Sequence, residues 1–78
     1  MRRIPIESTS IASVGYDPER HELDIEFRDN GKVYRYFGVP AEEHAALMAA
    51  ESKGAYINQV FKPRGYKYAV VRRGEKKK

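Results

Sequence analysis

Between residues 21 and 28 polar and apolar side chains alternate. Leu23, Ile25 and Phe27 point to one side of an extended chain, and Glu22, Asp24 and Glu26 to the other. This is the period of a strand buried on one face only. Residues 10–16 and 32–38 have strand composition and flank it. Asp17-Pro18-Glu19-Arg20 reads as a turn, because Asp suits its first position and Pro presets φ at the second. Asp29-Asn30-Gly31-Lys32 carries the Asn-Gly pair favoured where both central residues need positive φ. A two-residue loop there sets Phe27 opposite Tyr34, Glu26 opposite Arg35 and Ile25 opposite Tyr36. In the same way Tyr16 faces His21. The resulting three-stranded antiparallel meander gathers Ala12, Val14, Leu23, Ile25, Phe27, Tyr34 and Tyr36 on one apolar face, with Glu26 and Arg35 paired on the other.

A helix must cover that face. Pro40 suits a first helical position, and Glu42 and Glu43 follow where the helix dipole favours acids. Residues 41–52 are rich in helix formers, with Leu47, Met48, Glu51 and several alanines forming a partial stripe; Gly54 is read as the C′ residue beyond them. Residues 55–61 predict a short second helix with Tyr56 and Val60 inward, joined by Ile57 and Phe61, and Lys62-Pro63-Arg64-Gly65 stops it. Residues 66–72 predict a final strand whose pairing direction stays open. The expectation is an α+β domain over residues 10–73: a three-stranded meander, a covering helix, a short second helix and a C-terminal strand. Residues 1–9 are a lead-in, and residues 74–78 a basic, disordered tail.

Seventy-eight residues fit one domain of modest stability. There is no Cys, so neither a disulfide nor a thiolate metal site can staple the fold, and nine aromatic side chains must supply much of the buried area. No apolar h-region follows Arg2-Arg3, and no apolar run approaches the roughly 20 residues that span a bilayer. A soluble, cytoplasmic protein with no membrane partner is expected. The net charge of +4 conceals an asymmetry: residues 1–51 hold six Arg/Lys against ten Asp/Glu, and residues 52–78 nine against one. Positive charge gathered in the last third suits a polyanion, or a protein with an acidic face.

Several short motifs occur in order: Ser8 and Ser10 before Ile11, Gly15-Tyr16-Asp17, Tyr34-Arg35-Tyr36, Val39-Pro40, Ser52-Lys53-Gly54 and Tyr56-Ile57-Asn58. Their order and spacing resemble the KTSC domain, a family named for the C-terminal region of some lysyl-transfer-RNA synthetases and found as small free-standing bacterial and phage proteins. The resemblance spans residues 8–72. It implies a compact α+β module, with RNA binding suggested by the synthetase context. Glu43 and His44 depart from it, standing where an apolar-aromatic pair is expected, so the resemblance does not extend to how the helix's first turn docks.

Each candidate site has a structural alternative. Tyr34 and Tyr36 could stack bases on an exposed platform, but the register places them in the core. Ser52-Lys53-Gly54 could present N–H groups and a Lys to a phosphate, yet it lacks a full glycine-rich loop, and a helix cap accounts for it. Tyr56 reads as core, and Asn58 as a turn partner or a ligand contact. The basic set Lys53, Lys62, Arg64, Lys67, Arg72 and Arg73, interleaved with Tyr66 and Tyr68, is the candidate nucleic-acid surface; its alternative is a solvated strand with tyrosines packed inward. His21 and His44 share no metal-ligand spacing, and none of Ser8, Thr9, Ser10 and Ser13 carries the signature of an activated nucleophile. The expectation is therefore a non-enzymatic module without cofactor or metal. It binds RNA or single-stranded nucleic acid, or alternatively meets an acidic protein, or pairs with a second copy through its edge strands.

Overall fold

The computed structural model describes residues 3–72. Its strands are β1 (Ile4–Pro5), β2 (Ile11–Asp17), β3 (Glu22–Phe27), β4 (Val33–Phe37) and β5 (Tyr68–Arg72). They form one antiparallel sheet in the order β1-β2-β3-β4-β5. The α+β class stands, but the sheet is larger than a three-stranded meander. The last strand joins beside β4, and part of the lead-in is structural: Ile4 and Pro5 pair with β2, and Ile6 is buried. Arg73 and the tail at 74–78 lie outside the described residues.

Both hairpin registers differ from the two-residue-loop expectation by two positions. Ile25 faces Tyr34, Leu23 faces Tyr36, Asp24 faces Arg35, and Tyr16 faces Leu23 rather than His21. The cause is the same in both loops. Pro18–His21 and Arg28–Gly31 are four-residue connections, each ending in a left-handed residue, His21 at φ 57° and Gly31 at φ 71°. In the second loop Gly31 N–H donates to the Phe27 carbonyl at 2.9 Å, and Asn30 turns its side chain back to accept from Lys32 N–H. A shift of two preserves every face because the strand period is two. Tyr34 and Tyr36 therefore stay on the apolar side. The shift does change partners: Arg35 forms a forked pair with Asp24 at 2.8 and 3.0 Å instead of meeting Glu26. A bulge at Ala12 moves Ile11, not Ala12, onto the buried face.

The helical layer lies across this face. Helix α1 (Ala41–Ala49) starts one residue later than expected, with Pro40 as its N-cap and not its first helical residue; the Pro40 carbonyl accepts from Glu43 N–H at 3.0 Å. It ends at Ala49, short of residue 52. Ser52 begins a second helix instead, its hydroxyl accepting from Ala55 N–H at 3.2 Å. That segment runs through α2 (Lys53–Tyr56), a π-helical turn Ile57–Phe61 and a 3₁₀ turn Lys62–Arg64, and Gly65 terminates it at φ 79°. Gly54 is thus inside a helix and not a left-handed cap. A Cβ there would sit 3.1 Å from Ser10 Oγ, so close approach to the start of β2 explains the glycine.

The core comprises Ile6, Ile11, Val14, Leu23, Ile25, Tyr36, Val39, Leu47, Ile57 and Phe61. In the second helix Ile57 and Phe61 are fully buried, while Tyr56 and Val60, expected to lead inward, are half-buried. Ile57 and Phe61, four residues apart, share the face turned to the sheet. The sheet's far side is polar, with Arg3 and Glu26 meeting on Ser13, and Arg72 bonded to Glu26 at 2.7 Å. The Ser13 hydroxyl bond, followed by Arg72, lowers the Glu26 pKa against burial. Among the described residues no buried side-chain polar atom lacks a partner, and no helix is long and apolar enough to cross a membrane.

Candidate functional site

An aromatic groove of about 510 Å³ opens between β3–β5 and the chain leaving the second helix. Its position follows from strand order. Setting β5 beside β4 places Tyr68 directly opposite Tyr36, with ring centroids 5.3 Å apart, and Tyr34 is also 5.3 Å from Tyr68. Phe27 meets Tyr34 edge-on at 5.3 Å, and Phe61 meets Tyr36 edge-on at 4.7 Å. Tyr66 lies over Phe61 at 5.0 Å. Tyr36 forms the buried floor, Tyr34 is half-buried, and Tyr68 is 56% exposed, so its ring is the one most open to an incoming ligand. Lys62 Nζ stands 5.5 Å from the Phe27 centroid and supplies the groove's cation.

Burial pushes the Tyr36 hydroxyl up to about 12, assisted by Tyr68 and Tyr34. Burial and then its hydrogen bond to Glu43 push Tyr66 up to about 12. Both phenols are neutral near pH 7 and offer O–H groups rather than charge.

The second notable cluster centres on Glu43, which is buried in the first turn of α1. Tyr66 O–H donates to its Oε1 at 2.9 Å, Tyr56 O–H donates to its Oε2 at 2.5 Å, and Arg64 forms an ion pair with it. Glu43 therefore clamps α1 to the segment that carries Tyr66 into the groove. The neighbouring His44 stacks on Tyr16 at 4.6 Å and 12°, and burial lowers its pKa. So the Glu-His pair, which departs from the resemblance, docks the helix's first turn through hydrogen bonds and stacking. The carboxylate is occupied by three partners, which is a structural role. Among the described residues no group of His, Asp and Glu is arranged to hold a metal.

The structure divides the basic set that sequence grouped together. Lys62, Tyr66 and Tyr68 come to the groove, joining Tyr34 and Tyr36. Arg64 is paired with Glu43, and Arg72 reaches Glu26 and the Gly31 carbonyl on the sheet's opposite side. Lys53 donates to the Ala50 carbonyl at the end of α1. Lys67 is exposed just before β5. Gly54 and Asn58 line a second, smaller cavity next to the groove, and Tyr56 bonds Glu43. Sequence reasoning missed Phe27, Phe61, Asp29 and Asn30 as groove residues. Only the placement of β5 beside β4 could have revealed them.

The KTSC domain family model matches residues 7–68. The chain belongs to the KTSC domain family. An uncharacterized protein of Stutzerimonas stutzeri is 48% identical over 68 residues, covering 87% of this chain and 94% of that one. The crystal structure of a KTSC domain protein from Yersinia pestis superposes with a TM-score of 0.84 at 38% identity, covering 91% of this chain and 97% of that one. A lysine–tRNA ligase of Nostoc sp. is 38% identical over 56 residues, which is 72% of this chain but 10% of the ligase. Within this KTSC domain the recurrent short motifs have visible structural duties. Ser8 Oγ accepts from Ser10 and Ile11 N–H, Asp17 Oδ1 caps the Pro18 turn, and Tyr16 O–H donates to the Val39 carbonyl at 2.6 Å.

Proposed function

We propose that this KTSC domain is a non-enzymatic binding module that takes single-stranded nucleic acid, RNA foremost, in the aromatic groove. The observation that carries the reading is the run of Phe27, Tyr34, Tyr36 and Tyr68 beside the Lys62 ammonium. Stacking on such rings is tolerant of sequence and is worth about 1–3 kcal/mol per base. The site lies within the range of about 300–1,000 Å³ typical of small-ligand pockets. Lys62 and the exposed Lys67 supply the phosphate attraction, while Arg64 and Arg72 are largely spent on Glu43 and Glu26. The local similarity to a lysine–tRNA ligase is consistent with an RNA ligand.

A protein partner is the second reading, because β5 is an edge strand with all five residues exposed, Val70 and Val71 among them. The test is fluorescence anisotropy of labelled single-stranded RNA, transfer RNA and duplex DNA at two salt concentrations. The groove reading expects binding to single strands that weakens with salt, and about tenfold loss in Tyr68→Ala. Absence of binding at low salt would refute it and turn attention to the β5 edge.

A further inference from the structure

Beside the aromatic groove lies a polar cavity of about 190 Å³. The two share Phe27, Asp29 and Lys62 as a common wall. The polar cavity adds Thr9, Ser10 and Asn58, and Gly54 forms its floor. The absence of a side chain at Gly54 lets the second helix approach Ser10 closely and brings Asn58 and Ser10 to one recess. Apart from the shared Phe27 ring and Lys62 ammonium, it is lined by the Thr9 and Ser10 hydroxyls and the Asn58 amide, where the groove has the further rings of Tyr34, Tyr36, Phe61, Tyr66 and Tyr68. Asn58 and Lys62 are exposed and four residues apart, Asn58 in the π-helical turn and Lys62 directly after it. Neither Asn58 nor Ser10 uses its side chain in a hydrogen bond among the described residues.

Resting on the groove reading, we propose that the two cavities are one nucleotide-binding cleft selective for RNA. The base lies in the aromatic groove. Its ribose and phosphate lie in the polar cavity, with Lys62, Asn58 and Ser10 toward the phosphate and Asp29 toward the sugar hydroxyls.

The chemistry assigns each part. Lys62 presents its charge to both cavities and bridges a stacked ring and its phosphate. The Asn58 amide and Ser10 hydroxyl donate to phosphate oxygens. Asp29 is acceptor-only when ionised, so it repels a phosphate and accepts from a ribose O–H. The 2′-hydroxyl is the group by which a protein tells RNA from DNA. At about 190 Å³ against about 510 Å³ the polar cavity is the smaller compartment, which suits the sugar-phosphate unit while the base takes the groove.

The experiment compares an adenylate RNA octamer with the DNA octamer of the same sequence by anisotropy, at one fixed salt concentration. Wild type is set beside Asn58→Ala, Asp29→Ala and Tyr68→Ala, each checked for an unchanged melting temperature. We expect wild type to favour RNA by about fivefold or more, and Asp29→Ala to abolish that preference by weakening RNA alone. Asn58→Ala should weaken both octamers by roughly threefold to tenfold, and Tyr68→Ala both by about tenfold. Equal affinity for RNA and DNA, with Asn58→Ala and Asp29→Ala neutral but Tyr68→Ala weakened, overturns the cleft and leaves the groove standing. No binding of either octamer overturns both.

Discussion

Replacing Glu43 with Ala should destabilise the domain by roughly 3 kcal/mol. The figure is built from the carboxylate's partners. Two phenol O–H donors, Tyr56 at 2.5 Å and Tyr66 at 2.9 Å, reach an oxygen each. A hydrogen bond to a charged acceptor contributes about 1.5–3 kcal/mol. We take the lower end for each, because Tyr56 and Tyr66 also border an open surface recess through which water can reach the freed hydroxyls. Arg64 is half exposed and is left out of the sum. For a domain of this size total stability is about 4–12 kcal/mol, so the loss is a large fraction of it. The melting temperature should fall by roughly 12–24 °C, at about 4–8 °C per kcal/mol. Urea unfolding of wild type, Glu43→Ala, Glu43→Gln and the double variants with Tyr56→Phe and Tyr66→Phe measures the pairwise couplings. Glu43→Gln should lose less than Glu43→Ala, since the amide oxygen still accepts one hydroxyl. A loss below about 1 kcal/mol in Glu43→Ala, or no coupling to either Tyr, would refute the clamp.

Four other outcomes are expected. Gly54→Val should destabilise by about 2 kcal/mol or more in thermal melts, because its Cβ meets Ser10 Oγ at 3.1 Å and its methyls need further room. His21→Gly should be neutral or stabilising by up to about 1 kcal/mol, as it relieves a side chain at φ 57° while keeping the backbone bond from Val39 N–H to the His21 carbonyl. Stability should fall between about pH 10 and 12. Tyr36 and Tyr66 hold their protons up to about 12 when folded and release them near 10 when unfolded, so the stabilisation is whole below 10 and is lost as pH rises through the folded values. On the acid side, Glu26 is depressed chiefly by the Ser13 hydroxyl, so its contribution is present above its unfolded pKa and is lost as pH falls through the folded one. Ser13→Ala should therefore show less loss of stability on acidification, in urea midpoints followed from pH 6 to pH 3.

Much of the sheet was legible because side-chain direction in a strand is a local property. The alternation of Leu23, Ile25 and Phe27 with Glu22, Asp24 and Glu26 decided which face is buried, and Tyr34 and Tyr36 followed onto it although both loops proved two residues longer. An error of two in register leaves faces unchanged, whereas charge partners do change, which is why Arg35 meets Asp24 and not Glu26. The turns, the approximate strand spans, the stop at Gly65 and the family were likewise readable from short motifs.

The site itself was tertiary. Sequence could mark Lys62, Tyr66 and Tyr68 as candidates, but it could not join them to Phe27, Tyr34, Tyr36 and Phe61. That depends on β5 pairing with β4 across thirty intervening residues and on the second helix packing Phe61 against Tyr36. Nor could composition show that Arg64 and Arg72 are tied to Glu43 and Glu26, so a charge run along the chain became a divided surface in space. Glu43 shows the same limit. An acid in a helix's first turn reads as a solvated dipole partner, and only the return of Tyr56, Arg64 and Tyr66 around it makes burial favourable. Local periodicity decides which way a side chain points; long-range pairing decides what it meets, because that depends on chain segments whose separation carries no local signal.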